Sequence, residues 1–207
     1  ESKELWTQEA RAGDLRTEIQ LKEYGPKISP VLSLEARVGN IKAGAVDLSS
    51  IHFRAEGSPS FHRAQFSASV NRVELQGEVT GAYQDRSWKG SLEKLDGRDT
   101  GGPWNLQGPA RIILSEDRLQ VFPLIIRSGR GEKLQAQADL TLKPLGGSFQ
   151  AQWHKIHLSR ANARIPKGRI SGESSGSLAA RGQKGGWEIS GNSHFQGTVV
   201  HDRLSFE

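Results

Sequence analysis

Apolar residues recur at every second position over most of this chain, and that period permits few folds. Phe66, Ala68 and Val70 alternate with polar residues. Val73, Leu75, Gly77, Val79, Gly81 and Tyr83 take the other parity after a short interruption. Ala110, Ile112 and Leu114 alternate again, as do Leu134, Ala136, Ala138, Leu140 and Leu142, with Gln135, Gln137, Asp139 and Thr141 in the gaps. Successive side chains of a strand point to opposite faces, so the pattern predicts strands with one wet face and one dry face. No segment holds a three-to-four period over a dozen residues; a short helical piece is expected only at Leu5–Ala12. The expected class is all-β and mostly antiparallel.

Turn chemistry divides the runs into strand-plus-turn units of roughly 10–14 residues. Glu56-Gly57-Ser58-Pro59, Asp96-Gly97, Thr100-Gly101-Gly102-Pro103, Gly129-Arg130-Gly131, Leu145-Gly146-Gly147 and Lys184-Gly185-Gly186 all read as bends. Many alternating positions are small, as in Ala136 and Ala138 or Gly172, Ser174 and Gly176. Such a face is flat and lightly filled. Either bulky residues opposite occupy the space, or the sheet curls and leaves an apolar groove.

Composition narrows the chemistry. Only 35% of the 207 residues are hydrophobic and 24 are glycine, thin material for a compact globule. There is no cysteine, which excludes disulfides, thiolate metal sites and a thiol nucleophile. There is no methionine either, so the chain is expected to be an excised or processed piece of a longer protein. The longest apolar runs, such as Leu124–Ile126, are far too short for a membrane helix, and no signal-peptide pattern opens the chain. Any anchor is expected outside it. The net charge is +5, but Lys and Arg are scattered rather than blocked, which reads as a solvated polar face.

Several motifs invite sharper readings. Gly172, Ser174 and Gly176 spell the G-x-S-x-G of serine esterases. That elbow needs a strand, a strained turn and a helix, whereas alternation here runs unbroken from Ile170 to Ala180. A triad would need an acid and then a histidine downstream, and only Glu188 lies between Ser174 and His194, with His201 beyond. The spacing is expected to be that of a glycine-rich strand, and no catalytic residue is expected. His154 and His157 give H-x-x-H, but on a strand an odd separation places them on opposite faces, so no metal site is expected. Asp96, Asp99 and Asp117 do not make a calcium loop, and no phosphate-binding loop is present. No cofactor is expected. Trp88, Trp104, Trp153 and Trp187 are spread out rather than grouped as a stacking platform, and no nucleic-acid signature surrounds them.

The order of these pieces resembles the TamB family of bacterial envelope proteins. Across 87–129, Trp88, Gly90, Leu92 and Leu95 fit a W-x-G-x-L-x-x-L pattern; Trp104, Leu106, Pro109 and Ala110 fit W-x-L-x-x-P-A; and Ile112, Leu114, Leu119 and Val121 continue it. Family members often carry a Cys-Leu pair near Leu124-Ile125, which this chain lacks. Across 153–192, a W-x-x-I-x-L strand leads through a proline turn into a G-x-x-S/G-G-x-L-x-x-x-G strand, matching Trp153, Ile156, Leu158, Gly172, Gly176 and Leu178. Residues 1–60 match only in style, and the related AsmA-like proteins share much of the pattern.

The resemblance implies one repeat segment, 1–207, of a longer chain. It implies an elongated antiparallel sheet curled into a taco-like groove with an apolar interior, in the periplasm of a Gram-negative bacterium, with an inner-membrane anchor outside the segment. It also implies phospholipid movement between the two membranes, or help in outer-membrane protein assembly with a TamA-like barrel partner. On that reading, acyl chains line up against Phe66, Val70, Leu75, Val79, Ile112, Leu114, Leu119, Val121, Leu134, Leu140, Leu142, Ile189 and Phe195. Each exposed methylene costs about 0.8 kcal/mol in water, so a continuous apolar trough would remove much of the cost of crossing an aqueous gap. Open sheet edges are expected to promote self-association. The alternatives are a structural β-repeat with a filled core and a glycan-binding β-sandwich.

Overall fold

The computed structural model describes residues 15–22, 31–43, 46–70, 73–164, 169–183 and 186–200. The helical piece expected at Leu5–Ala12 and His201 lie outside these residues. Among the described residues thirteen strands form one sheet: β1 (Leu15–Lys22), β2 (Val31–Ala43), β3 (Val46–Ser58), β4 (Phe61–Val70), β5 (Val73–Gln84), β6 (Ser87–Asp99), β7 (Gly102–Leu106), β8 (Ala110–Ser115), β9 (Arg118–Ser128), β10 (Lys133–Leu142), β11 (Leu145–His157), β12 (Arg169–Gln183) and β13 (Gly186–Val200). Every pairing is antiparallel, and strands follow one another across the sheet in chain order. The all-β antiparallel class is thus observed.

The thirteen strands fill twelve lanes because β7 and β8 share one. Long β6 pairs its first half with β8 (Trp88↔Leu114) and its second half with β7 (Gly97↔Trp104). β9 completes the lane on the other side, through Leu106↔Ile126 and Leu114↔Leu119. A 3-10 helix, Leu158–Arg164, interrupts the meander between β11 and β12. With lanes ~4.8 Å apart, the sheet extends roughly 50 Å across its strands.

The turns depart from expectation in three places. Asp96-Gly97 is not a bend; both residues lie inside β6. Leu145-Gly146-Gly147 opens β11 instead, and the turn falls on Lys143-Pro144 just before it. The β5–β6 hairpin turns at Asp85 and Arg86, both at positive φ (51° and 58°). Those angles are a type I′ turn, the hairpin geometry that matches strand twist, built here without the usual glycine.

Four register shifts carry the logic of the fold. They lie near Ser49 in β3, Glu93 in β6, Phe122-Pro123 in β9 and His154-Lys155 in β11. A bulge adds one residue to one strand, so the sequence parity of each face flips there. Apolar spacing flips at the same points: Leu48 to Ile51, Leu92 to Leu95, Val121 to Leu124, and Trp153 to Ile156. The bulges therefore keep one face apolar over strands whose sequence changes phase.

Candidate functional site

Residues directly opposite in an antiparallel pair share a face, so the register sorts every strand residue. Followed from lane to lane, one face collects Ile51, Phe53, Ala64, Phe66, Ala68, Leu75, Val79, Leu92, Leu95 and Trp104. It continues through Ile112, Leu114, Leu119, Val121, Leu124, Ile126, Leu134, Ala136, Phe149, Trp153, Leu178, Ile189 and Phe195. All thirteen residues expected to line a groove fall on this face: Phe66, Val70, Leu75 and Val79 from β4 and β5, Ile112 to Val121 from β8 and β9, Leu134, Leu140 and Leu142 from β10, and Ile189 and Phe195 from β13. The opposite face is mostly polar, with Phe61, Ile113 and Ile125 among its exceptions and Phe122 in a bulge beneath the Arg111 guanidinium, 5.0 Å from its ring centre.

The apolar face is open. Among the described residues only two hydrophobic side chains are buried, Leu92 (7% exposed) and Ala110 (1%), both in the middle lanes. Ile189, Phe195 and Leu114 are exposed. Strands pack on their sheet neighbours, and among the described residues no second sheet covers the face. Exposed apolar patches of more than a few hundred Å² mark interaction surfaces.

The small residues on this face have a specific use that alternation alone did not show. Aromatic rings sit against nearby glycines, mostly those of the neighbouring strand. A Cβ at Gly97 would run into the Trp104 ring, one at Gly77 into Phe66, and one at Gly81 or Gly90 into Trp88. Trp153 covers Gly176 at 2.6 Å from such a Cβ, and Trp187 covers Gly182 at 2.9 Å. In four of these six contacts ring and glycine are direct cross-strand partners: Phe66↔Gly77, Gly97↔Trp104, Trp153↔Gly176 and Gly182↔Trp187. Bulky neighbours thus do fill the glycine gaps, but sideways within one sheet, which leaves a face of low relief. Gly97 sits in β6 for this reason, not to make a bend. The buried ends of two rings are satisfied: Trp88 Nε1 donates to His62 Nε2 (2.5 Å) and Trp153 Nε1 donates to Ser174 Oγ (3.0 Å).

That last bond settles the place of Ser174. It is buried in mid-strand on the apolar face, and its hydroxyl meets Trp153 and Ser193 Oγ (3.1 Å). His194 is on the other face, opposite Ser175. The G-x-S-x-G spacing is a strand under a tryptophan, as its alternation indicates. The two histidines of H-x-x-H correct an expectation: the bulge at His154-Lys155, with Lys155 at φ 51°, puts His154 and His157 on the same polar face. His157 approaches Glu173 (3.8 Å), and no three-residue metal-ligand group occurs among the described residues.

The scattered charges pair across strands on the polar face. Arg63 meets Glu78 at 2.5 Å, and Arg118 holds Asp139 through two bonds of 2.8 and 2.7 Å. Hydrogen bonds from these arginines lower the pKa of both carboxyls. A concavity of about 570 Å³ opens on this polar side, with Ser67, Glu74, Gln76, Arg98 and Asn105 in its lining.

The apolar face ends in a buried ionic cluster that no sequence motif announced. Arg160, in the 3-10 helix, donates to both oxygens of Glu132, to Asp99 at the end of β6, and to the Gly102 carbonyl. Glu132 is 3% exposed and also accepts from Ser128 Oγ and from the His157 backbone N–H (2.9 Å). Burial pushes its pKa up, but these donors and the guanidinium outweigh that and hold it at about 2. Asn162 ties the far end of the helix to β12, donating to the Ile170 carbonyl (3.0 Å) and accepting from its N–H (2.8 Å). Beside the cluster lies a cavity of about 390 Å³ between Trp104, Ile126, Leu134 and Ile156. No family model, curated protein or solved structure matches this chain.

Proposed function

We propose that this chain shields hydrocarbon: acyl chains of phospholipids lie against its apolar face while the polar face stays in water. The observation that carries the reading is the continuous, open apolar face, extended across twelve lanes and kept in phase by four bulges. A folded chain that leaves Ile189, Phe195 and Leu114 in water, with so little buried, gains by covering that face. At about 25 cal/mol per Å² of apolar surface removed from water, a single tail on the face contributes several kcal/mol. No bond need break, and the low relief left by ring-on-glycine packing offers weak, uniform binding, which suits a surface along which a tail moves.

The resemblance to TamB-like and AsmA-like sequences supports the same reading and gives it a setting. In that setting the segment sits in the periplasm of a Gram-negative bacterium, within an anchored parent chain. It passes phospholipid between membranes or assists a barrel partner in outer-membrane assembly. The test is binding from vesicles carrying a fluorescent phospholipid. Wild-type protein should withdraw lipid, and Leu114→Glu with Leu140→Glu, two charges on the apolar face, should lower uptake at least tenfold. Glutamates at Ile113 and Thr141, on the polar face of the same strands, should leave uptake unchanged. Equal loss in both pairs, or no uptake by wild type, overturns the proposal.

A further inference from the structure

The cavity beside Arg160 differs from the rest of the apolar face because it is closed on one side by charge. Its walls are Trp104, Ile126, Leu134 and Ile156, all on the apolar face. Its rim is Arg160 with Asp99 and Glu132. At about 390 Å³ it falls within the size range of small-molecule sites. The rim decides which part of a ligand enters. All three nitrogens of the Arg160 guanidinium are engaged by Glu132, Asp99 and the Gly102 carbonyl, so it has little left to offer a phosphate or carboxylate. Two carboxylates against one guanidinium leave the rim with one net negative charge, which repels anions. Arg127, which also lines the cavity, sits in β9 opposite Asn105 and Lys133, on the polar face.

We propose that this cavity is a discrete binding site for the uncharged end of a hydrocarbon chain, with the Arg160–Asp99–Glu132 bridge as its fixed wall. The proposal rests on the reading that the apolar face takes hydrocarbon, and adds that one place on it holds a chain end more tightly than the open strip. The wall matters because a chain end on the open strip touches the sheet alone, whereas here the charged bridge also bounds it on one side. Leu140 gives the internal comparison. It shares β10 and the apolar face with Leu134 but lies six residues away, roughly 20 Å along the strand.

The test is photolabelling of the full chain with a sixteen-carbon alcohol carrying a terminal diazirine, read by peptide mass spectrometry. Label should concentrate on Trp104, Leu134 and Ile156, at least fivefold over Leu140. Leu134→Trp, which fills the cavity, should abolish that preference, and Leu140→Trp should not. If Leu134→Trp fails to fold, Ile126→Phe serves the same purpose. Competing hexadecanol should displace the label better than palmitate. Label spread evenly along the apolar face removes the pocket but leaves the hydrocarbon-shielding reading standing. Label absent from the apolar face, or found on the polar one, removes both.

Discussion

Replacing Glu132 by Gln probes the most buried carboxylate of the Arg160 cluster. Its carboxyl is held at about 2 against an ordinary 4.5, because Arg160, Ser128 and the His157 N–H favour the charged form more than burial disfavours it. At 1.36 kcal/mol for each pH unit, that difference contributes about 3 kcal/mol of stability. The sign follows from the lowered folded-state value. The contribution is fully present above pH 4.5, where the unfolded chain has already lost the proton. It fades as pH falls toward 2, because the unfolded state then binds the proton that the folded state refuses. Urea unfolding of wild type and Glu132→Gln at pH 7, 5, 4 and 3 measures it. The gap should be about 3 kcal/mol at pH 7 and 5 and should narrow steadily at 4 and 3. Taking the difference between the two proteins removes the carboxylates they share, such as Glu78 and Asp139, which are also held low by arginines. A gap that is absent at pH 7, or that stays constant down to pH 3, would show that Glu132 is not held by its partners in this way.

Other outcomes follow from the same structure. Gly97→Val should cost about 1–3 kcal/mol by displacing the Trp104 ring, and combining it with Trp104→Ala should recover part of that loss, a coupling read from a double-mutant cycle. Arg86→Gly should raise stability by about 1 kcal/mol, since the residue holds φ 58° in a type I′ turn; an unchanged melting temperature would contradict this. β13 pairs with β12 over its whole length without a bulge and carries no lysine, arginine or proline to blunt its outer edge. Association should therefore rise with concentration in sedimentation runs and weaken on Ile189→Lys; a monomer at every concentration would refute it.

The fold class was legible because alternation is a direct consequence of strand geometry. The choice of face was legible too, since Phe66, Leu75, Ile112, Leu134 and Ile189 each sit in the apolar phase of their own run. What alternation does not state is how runs join. The bulges were visible only as i, i+3 steps, such as the x-x between Leu92 and Leu95 and between Trp153 and Ile156, and those steps read equally well as noise. Missing them put His154 and His157 on opposite faces when the extra residue at Lys155 brings them to one. Glycine was misread as punctuation at Gly97 because its partner, Trp104, is identified only by register. The Arg160 cluster was out of reach for the same reason: its members come from β6, from the turn before β10 and from the 3-10 helix, joined across 28 and 61 residues of sequence. Long-range ion pairs leave no local pattern.

Hydrocarbon, on the proposed function, meets one face of this sheet and not the other. Photo-crosslinking amino acids at Leu114 and Leu140, with Ile113 and Thr141 as neighbours on the reverse face, test it in cells by mass spectrometry of whatever is captured. Phospholipid joined to the first pair and absent from the second is the expected result. Lipid captured equally at all four positions, or at none, would contradict it.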